Sequence, residues 1–183
     1  MRIISGSKRG MNLVTPEGMS TRPTSDRIKE TLFNMIAPDI YDSYFLDLFS
    51  GSGQMGIEAL SRGAKEAIFV EKDKKAIVAI ESNLKKTGFD ESSILYKNDV
   101  FFILSQLRGH EPFDIIFMDP PYNHLIEKQV LEQLYRYDYV SEDTLVIVEA
   151  SLETSFEYVS EIGFSIIKEK LYKTNKHLFL KKA

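Results

Sequence analysis

The stretch at residues 44–56, YFLDLFSGSGQMG, constrains the fold of this chain more than any other. It opens as a short apolar run, the pattern of a buried strand. It then breaks into a glycine-rich turn, and a helix is expected to open at about Gln54. Glycine permits positive φ there and leaves no side chain between the loop and a ligand. The first N–H groups of the helix have no partner within it and face the same space. A strand, a glycine turn and a helix make half of a nucleotide-binding crevice.

Strand and helix patterns alternate from there on. Strands are expected at residues 67–71, 93–96, 113–118 and 144–149. Helices are expected at 73–88, from 99 onward and at about 124–137, with a weak amphipathic segment at 153–160. Residues 164–172 and 177–180 read as two strands joined by the short turn 173–176, so they must be antiparallel. The expectation is an α/β, Rossmann-like fold: a mostly parallel sheet with helices on both faces, closed by an antiparallel hairpin.

At 183 residues the chain suits one domain. Residues 1–37 read as an N-terminal arm on a core of residues 38–183. The arm is expected to hold a hairpin (2–6 with 11–14) and a helix capped by Thr24 or Ser25. Ile28, Leu32, Phe33 and Ile36 give that helix one apolar face, and Pro38 stops it. The absence of cysteine excludes disulfides and thiolate metal sites, and no metal centre is expected. With no signal-peptide pattern and no apolar run of spanning length, a cytoplasmic location without a membrane partner is expected. The net charge of −4 does not favour nucleic acid. Any such affinity has to come from local charge. The arm's Lys8, Arg9, Arg22 and Arg27 are the candidates, against the plain alternative of a solvated basic surface.

The spacing Gly51-x-Gly53-x-x-Gly56 also fits a dinucleotide fingerprint. Asp47, at the strand end just before the loop, argues against a pyrophosphate and for a ligand with a cationic end. S-adenosylmethionine (SAM), with its sulfonium and ammonium groups, is such a ligand. A carboxylate that merely ties the loop's N–H groups is the other reading. Glu71 lies twenty positions after Gly51, where an acid binds ribose hydroxyls. Asp99 is at least a helix N-cap and can also accept an adenine amino proton. The tetrapeptide Asp119-Pro120-Pro121-Tyr122 ends the fourth strand. A nucleobase amine is a poor nucleophile because its lone pair is delocalised into the ring. The Asp119 carboxylate and the Pro120 carbonyl can draw its hydrogens out of plane and localise that pair. Paired prolines hold the carbonyl rigidly, and Tyr122 offers a ring for a flipped-out base. A stiffened turn with a packed tyrosine is the structural alternative.

Taken together, Asp47-x-Phe49-x-Gly51-x-Gly53, Glu71, Asp99 and the tetrapeptide resemble the ordered motifs of Rossmann-like SAM-dependent methyltransferases. The arm sharpens the likeness. Gly6-x-x-Arg9-Gly10-x-x-Leu13 and Arg22-Pro23-Thr24-x-Asp26-Arg27-x-x-Glu30-x-x-Phe33 resemble the bacterial D-type (RsmD) family that methylates N2 of a guanine in small-subunit (16S) ribosomal RNA. That resemblance implies a seven-stranded sheet with its last strand antiparallel, and an arm that covers the cofactor and helps bind RNA. It implies that Asp47, Phe49, Gly51 and Gly53 line the methionine end of SAM and that Glu71 takes the ribose. Asp99 with Val100 would meet the adenine, while Asp119 and Pro120 hold the target amine. The implied partner is ribosomal RNA or the small ribosomal subunit. Three other readings stay open: a DNA or RNA adenine-N6 methyltransferase, a NAD-dependent oxidoreductase, and a non-enzymatic RNA-binding module.

Overall fold

The computed structural model describes residues 1–16, 25–122 and 125–183. The chain forms a seven-stranded sheet of order β3-β2-β1-β4-β5-β7-β6. The strands are β1 (Tyr44–Asp47), β2 (Glu66–Val70), β3 (Ser93–Tyr96), β4 (Ile115–Met118), β5 (Leu145–Ser151), β6 (Phe164–Leu171) and β7 (Asn175–Lys182). The first five pair in parallel, while β7 runs antiparallel between β5 and β6. Strand order reverses at β1, between β2 and β4, which is where an open α/β sheet presents its binding crevice.

Helices cover both faces. On one lie α1 (Asp26–Met35), α2 (Ala37–Ile40), α3 (Gln54–Ser61) and α4 (Lys74–Thr87). Their apolar sides, with Ile3 and Leu13 of the arm, pack on Phe45, Phe69, Phe117, Ile147 and Phe179 of the sheet. On the other lie α5 (Val100–Gln106), α6 (Ile126–Leu134) and α7 (Val159–Ile162), which pack on Leu46, Ile68, Ile116, Val146 and Val148. Burial on both faces is why these strands read as continuous apolar runs rather than alternating ones.

Ser25 caps α1 through the Ile28 N–H, and Asp73 caps α4 through Lys75 and Ala76, with Gly88 in the left-handed conformation at its far end. Some boundaries differ from the sequence reading. The arm hairpin reduces to one antiparallel bridge, Arg2 to Asn12. The helix ends at Met35, and Pro38 instead sits in the first turn of α2, where its missing N–H costs nothing. The weak amphipathic segment yields only the single turn of α7. Strand β7 starts at Asn175 rather than 177, because Asn175 and Lys176 pair with Ser151 and Ala150 of a longer β5. Thr24 and the expected turn after Pro16 lie outside the described residues, as does the expected helix start at His124.

One buried ion pair ties the arm to the core. Glu58 on α3 accepts from the Ile4 and Ser5 N–H groups at 2.8 and 3.0 Å and from Arg62 Nε at 2.9 Å. Its Oε2, which accepts from Ile4, also lies 3.5 Å from Lys29 Nζ on α1, and both side chains are fully buried. Lys29 Nζ also donates to the Arg2 carbonyl at 2.6 Å. Burial lowers the Lys29 pKa, and the nearby Glu58 charge opposes that.

Candidate active site

Five carboxylates stand at the carboxyl ends of the five parallel strands: Asp47, Glu71, Asp99, Asp119 and Glu149. Register sets their depth. Asp47 pairs with Phe117, so Asp119 lies two residues further out on the same sheet face. Met118 pairs with Val148, which puts Asp119 and Glu149 side by side.

A cavity of about 550 Å³ opens over this edge, a volume suited to a cofactor-sized ligand. Its wall includes Phe49, Gly51, Glu71, Asp99, Val100, Asp119, Pro120 and Tyr122, so the structure brings eight of the sequence candidates to one space. The arm reaches it with Met1, Thr15 and Pro16, residues that no sequence signal marked. Gly51 has φ +54, and a Cβ there would meet nothing within 4 Å, so the loop backbone is bare toward the cavity.

Two candidates stand behind that wall. Gly53 caps α3 with φ +78, and a Cβ on it would press on Ile57, Phe69 and Ile80 of the core. Gly56 serves close packing: a Cβ there would lie 2.4 Å from the Phe69 ring. Asp47 is wholly buried, and neither of its oxygens has a hydrogen-bond partner among the described residues. The Gly56 and Phe49 amides face it without reaching full hydrogen-bond geometry. Burial pushes its pKa up to about 7, with the Glu71 charge adding and the Gly56 and Phe49 amides pulling back.

Glu71 ties the loop. Its Oε2 accepts from Gly51 N at 2.9 Å, and its Oε1 accepts from Lys72 N and Asp73 N, each at 2.8 Å. A carboxylate has about four acceptor positions, so one remains open for a ligand hydroxyl rather than two. Asp99 caps α5 through Phe101 N at 3.0 Å and pairs with Lys72 Nζ at 3.0 Å. Partial burial raises its pKa, but the Lys72 and Phe101 bonds outweigh that and leave it lowered.

Asp119 is perturbed in the same direction as Asp47. Burial raises its pKa well above the usual carboxylate range, and the charges of Glu149 and Asp47 add to it. Glu149, on β5, is missing from the sequence candidates, although its place at a strand end like that of Asp47 was a usable signal. It is nearly buried and held from β7 by Asn175 Nδ2 at 2.6 Å and His177 Nε2 at 2.9 Å. The Tyr122 ring is partly exposed, with its hydroxyl toward Glu149; burial first, then the Asp119 and Glu149 charges, raises that hydroxyl's pKa.

Two of the arm cations lie elsewhere. Helices α3 and α4 both run from the carboxyl edge of the sheet to its amino edge. The arm turn at residues 7–10 sits at their far ends, with Ser7 N donating to the Ser61 carbonyl and Lys8 Nζ over the Phe89 ring. Lys8 and Arg9 therefore face away from the crevice, contrary to the sequence expectation, because the hairpin lies along α3 instead of over its start. Arg22 lies outside the described residues. Arg27, at the start of α1, stays on the carboxyl edge.

The sheet order, the antiparallel β7 and the glycine loop at the strand-order reversal define a Rossmann-like class I methyltransferase fold. Residues 1–181 match the family described as "Conserved hypothetical protein 95". The chain belongs to that family, which includes the ribosomal RNA small subunit methyltransferase D proteins. It is 44% identical over 171 residues to "Putative rRNA methyltransferase YlbH" of Bacillus subtilis, covering 93% of this chain and 92% of the relative. It is 35% identical over 172 residues to "Ribosomal RNA small subunit methyltransferase D" of Haemophilus influenzae, covering 93% and 88%. A solved Escherichia coli structure, "Putative methyltransferase yhhF", superposes with a TM-score of 0.87 at 31% identity, covering 100% of this chain and 97% of that one. Among the described residues, no helix is long and apolar enough to cross a membrane, and no acid or histidine cluster could hold a metal ion.

Proposed function

We propose that this chain is a SAM-dependent methyltransferase that modifies the exocyclic N2 amine of a guanine in small-subunit ribosomal RNA. The relatives' names support the RNA and the transfer. The observation that carries the base is the pair Asp119 and Glu149, two acceptors side by side at the cavity wall. Guanine presents N1–H and N2–H₂ next to each other, both donors, whereas adenine sets an acceptor beside its amine.

The residues fit SAM. A bare backbone at Gly51 admits a ligand against the loop. Among the described residues Asp47 is a buried carboxylate without a hydrogen-bond partner, no lysine or arginine forms an ion pair with Asp119 or Glu149, and the one basic side chain against Glu149 is His177. Such a cluster favours a ligand that brings positive charge. Glu71 would hold the ribose, Asp99 and Val100 the adenine, and Phe49 and Gly51 the methionine portion, with Asp47 acting through the loop as a buried charge. When bound, SAM supplies a methyl carbon on a positively charged sulfur.

The chain's own part is positioning and charge. Asp119 and the Pro120 carbonyl accept the two amine hydrogens and turn the nitrogen lone pair outward. Tyr122 presents its ring to the base. The raised proton affinity of Asp119 equips its carboxylate to take the proton that the amine gives up, and solvent then takes it from the open side of Tyr122.

The test is single-turnover transfer with labelled SAM to 16S ribosomal RNA from a strain lacking the enzyme, followed by mapping of the modified base. Asp119→Ala should abolish transfer and leave SAM affinity nearly intact, because its contact is strongest in the transition state. Transfer within about tenfold of wild type, ~1.4 kcal/mol in barrier, removes Asp119 from the mechanism. A methyl group found on adenine removes the guanine assignment.

A further inference from the structure

Among the described residues a second cavity, about 560 Å³, opens on the same edge of the sheet. The start of α1 forms one side and the turn between β6 and β7 the other. It meets the cofactor cavity at Tyr122 and Glu149, which line both. Three exposed cations line it: Arg27, Lys170 and Lys173. None of them forms an ion pair among the described residues. The single acid in its wall is Glu149, nearly buried at the junction. The rim is positive and the floor is negative, in a chain whose net charge is −4.

That polarity matches one kind of occupant. A nucleotide carries its negative charge on phosphates at the periphery and its hydrogen-bond donors on the base. A base extruded from its stack enters a pocket while its phosphates stay outside, and the volume suits a ligand of that size. The turn is also fixed relative to the chemistry. Asn175 and His177 bind Glu149, and the Tyr172 hydroxyl lies 3.1 Å from His177 Nδ1. Lys170 and Lys173 are thereby held at a set reach from Tyr122. By contrast, Lys8 and Arg9 lie at the other end of the sheet.

We infer that the second cavity receives the acceptor nucleotide of a single-stranded RNA segment, with Lys170 near the end of β6, Lys173 of the β6–β7 turn and Arg27 of α1 holding the flanking phosphates. This rests on the RNA methyltransferase reading given above. The strand runs over the hairpin turn, and the base passes Tyr122 to reach Asp119 with Glu149 facing its donor edge.

The test uses the full chain and 16S ribosomal RNA from a strain lacking the enzyme. Lys170→Ala and Lys173→Ala are combined in one variant; both residues are exposed, so folding is unaffected. RNA binding is measured across a salt series, beside single-turnover transfer, SAM calorimetry and melting temperature. RNA affinity should fall at least tenfold. The log-affinity against log-salt slope should flatten by about 0.7 per lost phosphate contact, ~1.4 for two. SAM affinity and melting temperature should stay at wild-type levels. Full affinity and full slope in this variant overturn the inference. So does a loss confined to a Lys8→Ala/Arg9→Ala variant, which would place the strand on the arm side. Equal binding of duplex DNA would overturn the single-stranded occupant. Failure of the unaltered chain to methylate RNA is a separate result that removes the proposed function itself.

Discussion

Replacing Asp47 by asparagine should make the protein more stable as pH rises while weakening its hold on SAM. The carboxyl is wholly buried, and neither oxygen has a hydrogen-bond partner among the described residues. The unfolded chain ionises it near 3.8, whereas the folded chain keeps its proton until about 7. Folding therefore takes up a proton between those values, and stability falls as pH rises through that window. Below the unfolded value nothing is lost. Above about 7 the cost levels off at roughly 4 kcal/mol, three units at ~1.4 kcal/mol each. Between pH 5 and pH 8 it grows by roughly 2.5–3 kcal/mol. An asparagine cannot ionise, and its own unmet hydrogen bonds add only an offset independent of pH. Urea denaturation of both proteins at pH 5, 6, 7 and 8 reads the difference directly. With a slope of ~2–3 kcal/mol per molar, the variant's midpoint should gain about 1 M on the wild type across that range. A cationic ligand favours the ionised form, so wild-type SAM affinity should rise from pH 6 to 7.5, and the variant's should not. If the two stability curves run parallel from pH 5 to 8, Asp47 is not the perturbed group and the electrostatic account of the site fails.

Other substitutions test other parts of the molecule. Glu71→Ala removes the acceptor of three loop N–H groups; SAM should weaken by roughly 1–3 kcal/mol, and unchanged calorimetric affinity would exclude Glu71 from the site. Glu58→Ala leaves the buried Lys29 without its carboxylate and frees the arm. It should cost ~3–5 kcal/mol in urea denaturation and expose residues 1–16 to protease, and a loss below ~1 kcal/mol would contradict the ion-pair account. Gly56→Ala drives a methyl to within 2.4 Å of the Phe69 ring. A destabilisation of about 1–3 kcal/mol is expected, partly relieved by adding Phe69→Leu, and no relief would point to backbone strain instead.

The local chemistry of this protein was legible in its sequence. Glycine spacing, strand-end acids and the stiff Asp119-Pro120-Pro121-Tyr122 turn are read within a few residues, because their conformations depend on near neighbours. Helix limits set by Ser25, Asp73 and Gly88 were legible for the same reason. The family resemblance added the sheet's seven strands and its antiparallel end.

What the tertiary structure decided concerns residues far apart in the chain. Asp47 reads as a ligand contact in sequence, yet strand register sinks it two residues below Asp119 and leaves it buried. Glu149 belongs to the site only because β5 lies beside β4 and β7 supplies Asn175 and His177 to hold it. Lys8 and Arg9 lie close to Arg27 in sequence, but the arm hairpin runs along α3 and carries them to the opposite end of the sheet. Lys170 and Lys173, far from any motif, come to the same edge of the sheet at the end of β6 and on the turn that follows it. Sequence patterns fix which groups a segment carries and which way it bends. Depth, burial and company are set by pairings up to seventy residues apart, such as Phe45 with Ile115, and those determine what a charge can do.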